Sequence, residues 1–170
     1  MVHAVPVAWA FEVAPNPSVL RLHVTSELTD ETIRTCPPST APAPLALLLG
    51  LGDVRSVDLH RYRARVNLVP DVSAREMLVP VAALLTSSWG PPSALPPEEM
   101  PRAFVVGHRG PRTVAESAEM AGDHPLLASL FLVDGVCEAI AADGLTLVRL
   151  GRMFRWDDVE DGVREALVTR

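Results

Sequence analysis

HPLLASLFLVDGV, residues 124–136, reads as a short buried helix, a tight Asp-Gly turn and the start of a strand. APLALLLGLGDV, residues 43–54, is a worn version of the same phrase. Sliding the later part of the chain back by 82 positions pairs Leu48 with Leu130, Val54 with Val136, and Val66 with Val148. The same shift pairs Leu68 with Leu150, Val81 with Val163, and Leu85 with Leu167. One unchanged offset matches apolar positions while the polar residues between them differ. That is what two copies of one core leave behind after their surfaces diverge.

Between the copies lies WGPPSALPPEEMP, residues 89–101, with five prolines. Proline removes a backbone donor and turns the residue before it away from helix, so this stretch predicts a linker. The expected organisation is a first unit over residues 1–90, a linker over 91–101, and a second unit over 102–170.

Each unit can be read by period. VLRLHVT, residues 19–25, alternates apolar and polar as a half-buried strand does, and 102–106 is its weaker counterpart. Short extended pieces follow at 32–35 and 114–117. The repeated helix comes next, with Asp123 as expected N-cap, Pro125 in the first turn, and Leu127, Leu130 and Phe131 on one face. In the first copy this helix follows PPSTAPAP and is expected to be shorter or looser. Two strands then pair, over 54–59 and 63–69 in one copy and 139–141 and 145–150 in the other. Asp143-Gly144 makes the favoured hairpin turn of the second pair. A closing helix is expected over 73–87 and over 157–169, the latter with acidic residues in its first turn. The fold class is α+β: two tandem ββαββα units, each an antiparallel sheet with helices packed on one face.

Alternation also sorts the sheet faces. Ala64, Val66 and Leu68 point to the helices, so Arg63 and Arg65 lie on the open face beside Arg21 and His23. The corresponding positions of the second copy are Leu145 and Leu147, with Ala103 and Val105 alongside. One open face is therefore basic and suits an acidic protein partner. The other is apolar and reads as an interface, between the two halves or in a homodimer.

Composition bounds the rest. The net charge is −6 and all fifteen basic residues are arginine, which disfavours nucleic acid and anionic membrane as partners. The N-terminal segment has no basic leader and contains Pro6, and the longest apolar run, residues 45–51, is too short for a bilayer. A cytoplasmic, membrane-free protein is expected. Cys36 and Cys137 belong to no C-x-x-C pair and fall at non-equivalent places of the two copies, so both are read as incidental thiols. The five histidines show no metal-ligand spacing, and DDVEDG, residues 157–162, places Val159 and Val168 where a calcium loop needs oxygen. GHRGPR, residues 107–112, offers an anion site through Arg109 and Arg112. No nucleophile can be named together with its base, so the chain is read as no enzyme, without metal or cofactor.

APNPSVLRLHV (residues 14–24), the P-L-x-x-x-L-F-x-x-x-G-V pattern from Pro125 to Val136, and the Trp156-Asp157 helix opening together resemble a known family. The resemblance is to the N-terminal domain of Nfu-type (NifU-like) iron–sulfur scaffold proteins, present as two tandem copies over nearly the whole chain. Proteins of that family hold their cluster on the C-x-x-C of a different domain, and clusters need such thiolates. The resemblance therefore implies the accessory module alone: a non-catalytic interaction module tied to iron–sulfur assembly that does not itself hold a cluster. The alternative expectation is a small-ligand or anion-binding protein.

Overall fold

The computed structural model describes residues 7–168. Two antiparallel four-stranded sheets form, each carrying its own helices. The first sheet has strands β1 (Trp9–Val13), β2 (Val19–Val24), β3 (Val54–His60) and β4 (Arg63–Leu68), ordered β1-β2-β4-β3. Helices α1 (Ala43–Leu48) and α2 (Ala74–Trp89) go with it. The second sheet has β5 (Arg102–Val105), β6 (Thr113–Ala115), β7 (Val136–Ala142) and β8 (Leu145–Leu150), ordered β5-β8-β7-β6. Its helices are α3 (Ala118–Ala121), α4 (Pro125–Leu130) and α5 (Trp156–Val168).

The offset of 82 holds residue for residue through α1 and α4, β3 and β7, and β4 and β8. It even reproduces an irregularity. The β3–β4 register slips between Val54 and Ser56, and the β7–β8 register slips between Val136 and Glu138. A bulge aims the following residues at a chosen face, so its duplication in place is a strong mark of common architecture. Val54 and Val136 are both buried, and they pair with Leu68 and Leu150 respectively. Alternation does the rest. Leu20, Leu22, Val57, Leu59, Ala64 and Val66 line one face and meet Leu45, Leu48, Val81 and Leu85 from the helices. Phe104, Ala139, Ala141 and Val148 meet Leu127, Leu130, Trp156 and Val163 in a second, separate core. Gly144 takes the positive φ of 81° that the β7–β8 turn requires.

Four expectations need correction. Helix α1 is six residues long, as α4 is, because Pro44 sets the first turn in one as Pro125 does in the other. The cap of α4 is His124, not Asp123: its Nδ1 accepts from the N–H of Leu126 and Leu127. The piece at 32–35 reduces to a single bridge, Ile33 to Leu59. Its counterpart is Thr113 on Ala141, so the copies run at an offset of 80 there and the first has two fewer residues before its helix. Finally, β1 was not foreseen. It pairs along the outer edge of β2, with Trp9 in the core.

The segment between the units contains no helix or strand, yet it is held at many points. Ser93 N–H donates to Trp9 O, Arg152 donates to Pro96 O, and Arg155 donates to Pro97 O. Trp156 donates its backbone N–H to Glu99 and its indole N–H to Met100 O.

Candidate binding site

The open face of the first sheet is built by strand register. Arg21 on β2 stands beside Arg65 on β4 and Asp58 on β3; His23 stands beside Arg63 and then His60. Period-2 alternation forces this, since Leu20, Leu22, Ala64 and Val66 take the other face. Two flanking pieces complete the surface. The bulge after Val54 turns Arg55 and Ser56 to it, and the chain around the Ile33 bridge brings Thr32 and Arg34 over it. Arg34, Arg55 and Arg65 border one cavity; Arg21, Arg34, Arg63 and Arg65 border the next. Asp58 is the acid common to both, and its oxygens are occupied by Thr35 N–H at 2.8 Å and Asn67 Nδ2 at 3.1 Å.

One end of this face is not open. Glu12 on β1 accepts from Arg21 Nη1 at 3.2 Å, from His23 Nε2 at 3.1 Å and from Arg152 Nη1 of the second unit at 2.9 Å. Burial raises the Glu12 pKa, but the contacts to His23 and Arg21 outweigh it and hold the carboxyl below its ordinary value. Burial depresses the His23 pKa more than Glu12 restores it, so His23 is neutral at pH 7 and donates a neutral N–H to the carboxylate. His60 is depressed by burial and by Arg63, and Arg63 by burial and by Arg21.

Beyond His23 and Arg63 the face runs into a cleft of about 380 Å³ between the units, bordered also by Tyr62, Glu116, Cys137 and Arg149. Burial pushes the Cys137 thiol up to about 12, with Glu138 adding to it, so no thiolate is available there at neutral pH. Cys36 lies in the first core and contacts Pro37 O and Thr40 Oγ1. Among the described residues no three His, Cys, Asp or Glu side chains are placed to hold a metal ion.

The units are locked by a feature that the sequence reading missed. The β3–β4 turn inserts Arg61 and Tyr62 into the α4–β7 loop. Arg61, 3% exposed, donates to Phe131 O at 2.7 Å, Val136 O at 2.8 Å and Val133 O at 3.3 Å, and pairs with Glu27 at 2.9 Å. Gly135 N–H donates to Tyr62 Oη at 2.9 Å. Arg-Tyr-Arg in a hairpin carries no local pattern that points to this role.

The remaining candidates are distributed as follows. Arg63 is half-buried and Arg65 exposed, on one cavity wall. Leu145 is 49% exposed and Val105 88%, with Leu147 half-buried beside them. Leu145 and Val105 thus stay open to solvent, and the Arg61 turn makes the buried contact seen between the units. Arg109 and Arg112 are exposed, and Arg109 pairs with Asp143 at 3.2 Å. Gly107 and Gly110 take no positive φ, so the turn does not curl its amides into an anion cradle. No helix of the described residues is long and apolar enough to cross a membrane. In comparisons with protein families, curated proteins and solved structures, the chain matches none.

Proposed function

We propose that this protein is a non-catalytic interaction module that presents the arginine face of its first sheet to an acidic protein partner. The observation that carries the reading is that face: Arg21, Arg34, Arg55, Arg63 and Arg65 border contiguous cavities in a chain whose net charge is −6. Concentrating cations against an opposite overall charge steers an acidic surface to one place and repels it elsewhere. The resemblance to the N-terminal domain of Nfu-type proteins supports a partner from the iron–sulfur assembly machinery. In this reading the module carries neither cluster nor cofactor and acts in the cytoplasm, away from membrane and nucleic acid.

The same reading includes a homodimer through the second sheet. Val106 N–H donates to Gly144 O, so by alternation Ala103 and Val105 turn their peptide groups to the outer edge of β5. In the first sheet β1 fills the equivalent edge. Among the described residues no strand pairs with this edge of β5, and an unpaired edge beside exposed Val105 and Leu145 is a template for another strand. The second reading, an anion site at Arg109 and Arg112, is weakened by the Asp143 pairing.

Two measurements test the proposal. Binding of acidic iron–sulfur assembly proteins to the immobilised full chain is expected to weaken with salt and to disappear in Arg65→Glu. Salt-independent binding, or none, would count against the partner. Leu145→Asp is expected to convert a dimer to a monomer in sedimentation; a wild-type monomer at high concentration would remove the dimer.

A further inference from the structure

We infer that the cavity over the centre of the first sheet, bordered by Arg34, Arg63 and Thr32, is a site for a phosphate-class oxyanion. This deepens the arginine-face reading and rests on it. The cavity measures about 490 Å³ and is closed on one side by Glu116 from the second unit. A volume of that size has room for a phosphate together with the group that carries it.

Two residues that border it each carry a buried polar atom without a protein partner: Thr32 Oγ1 and Arg63 Nε. Leaving a buried donor unpaired is costly, and native structures seldom do so without a use for it. Neither Arg34 nor Arg63 forms an ion pair among the described residues. Arg65 has only Asn67 Oδ1. Arg21 is neutralised by Glu12, and Asp58 and Glu116 are the acids on the cavity wall. Three uncompensated arginines against two carboxylates leave one positive charge in excess, and an anion supplies the balance.

The geometry is set in advance of any ligand. Thr35 has a φ of 51°, a left-handed conformation that a β-branched residue rarely adopts, and its N–H is fixed by Asp58 Oδ1. The strained residue sets the direction of the chain at Arg34, and strain of this kind collects where a loop must be held for a ligand. Arg34 borders the cavity from the loop, Arg63 and Arg65 from β4, and Thr32 from beside the Ile33 bridge. A carboxylate is saturated by one planar guanidinium fork. A tetrahedral phosphate offers three oxygens to donors arriving from different directions, which matches this set.

Titration calorimetry on the full chain tests the assignment, using inorganic phosphate at matched ionic strength, a phosphoserine peptide, and the same peptide with glutamate. Saturable one-to-one binding of phosphate is expected. Arg34→Gln, at an exposed position, and Arg63→Gln should each weaken it about tenfold. Glu116→Gln should tighten it, because it removes the opposing charge; circular dichroism verifies that each variant is folded. Tighter binding of the phosphopeptide would assign the phosphate to a partner's side chain, and equal binding would assign it to a free small ligand. No saturation by about 10 mM phosphate, or affinity unchanged in both arginine variants, overturns the inference. If the glutamate peptide binds under those conditions, the acidic-partner reading survives alone. If nothing binds, both fall.

Discussion

Arg61→Met removes the most buried of the contacts that hold the two units together. Methionine keeps most of the apolar stem and removes the guanidinium. In the native protein that group satisfies three carbonyls of the α4–β7 loop, two of them in fully buried bonds of 2.7 and 2.8 Å. Its ion pair with Glu27 counts for less, since Glu27 is 42% exposed and such pairs contribute about 0–1 kcal/mol. The cost is therefore set by the orphaned Phe131 and Val136 carbonyls, each about 1–3 kcal/mol. Contacts of the guanidinium over the Tyr62 and Phe131 rings are lost as well. A total of about 3–5 kcal/mol follows, within the range for removing one partner from a buried charged network. Urea unfolding followed by tryptophan fluorescence can locate that loss. Trp9 and Trp89 report the first unit and Trp156 the second, so Trp156→Phe leaves a probe of the first unit alone. The wild type should unfold with coincident transitions. Arg61→Met should separate them, with the second unit melting first because its loop carbonyls lose their donors. Glu27→Gln should move the midpoint little. Coincident transitions at the wild-type midpoint in Arg61→Met would refute the reasoning.

Two further outcomes follow from local geometry and ionisation. Gly135→Ala should destabilise severely, by more than about 2 kcal/mol, because φ is +103° and a Cβ would meet Phe154 Cδ1 at 2.9 Å and Val159 Cγ2 at 3.0 Å. Gly144→Ala, with φ of +81° but open space around it, should cost only about 1 kcal/mol; equal thermal shifts for the two would contradict this. His23 is buried neutral, with a folded pKa below its ordinary 6.5, so on acidification the unfolded chain takes up its proton first. Its stabilising contribution is present above that ordinary value and is lost as pH falls toward the folded pKa. His60 and His124 act in the same direction. His23→Gln keeps an N–H donor for Glu12 and should flatten the fall in melting temperature as the pH drops below about 6.5. An unchanged slope would show that His23 is not the group responsible.

What the sequence made legible was whatever periodicity and spacing control. The offset that pairs Val54 with Val136 also placed the strand pairs and both cores, since burial at fixed intervals is what an apolar pattern records; the bulges are seen only in the strand register. The two open faces were equally readable: polar residues alternate with apolar ones in ARVNL, whereas LTLVRL carries leucines on both faces. Strand β1 is readable too, because Trp9, Phe11 and Val13 alternate with Ala10 and Glu12. The cap at His124 was hidden because imidazole seldom serves as an N-cap. The Arg61 lock and the Thr32–Arg34 wall were not legible at all. Each depends on which residues a turn or bridge brings against a different unit or strand, and a one-dimensional pattern contains no register between distant segments.

The lock is also specific to the junction between these two units. The contact is heterologous: a hairpin turn of one unit enters the helix–strand loop of the next, and such contacts propagate when every unit has both parts. At the offset of 82, Arg61 and Tyr62 correspond to Asp143 and Gly144. The second unit thus carries the receiving loop, while its own turn has neither the guanidinium nor the phenol that would enter another. Asp143 instead pairs with Arg109 of its own unit at 3.2 Å, and Gly144 gives N–H to His108 O. At the other end, the loop equivalent to residues 131–135 is Leu49-Gly50-Leu51-Gly52-Asp53, which lacks the Phe131 ring that stacks on the guanidinium. Among the described residues both complementary halves of the contact are present only across the internal junction, because both turns have diverged: Asp143-Gly144 stands for Arg61-Tyr62, and Leu49 stands for Phe131. Restoring the pair, with Asp143→Arg and Gly144→Tyr together, would test this through light scattering. The double variant should remain no larger than wild type, because the Leu49–Asp53 loop cannot receive the turn. Concentration-dependent fibres would show that the turn alone had been limiting.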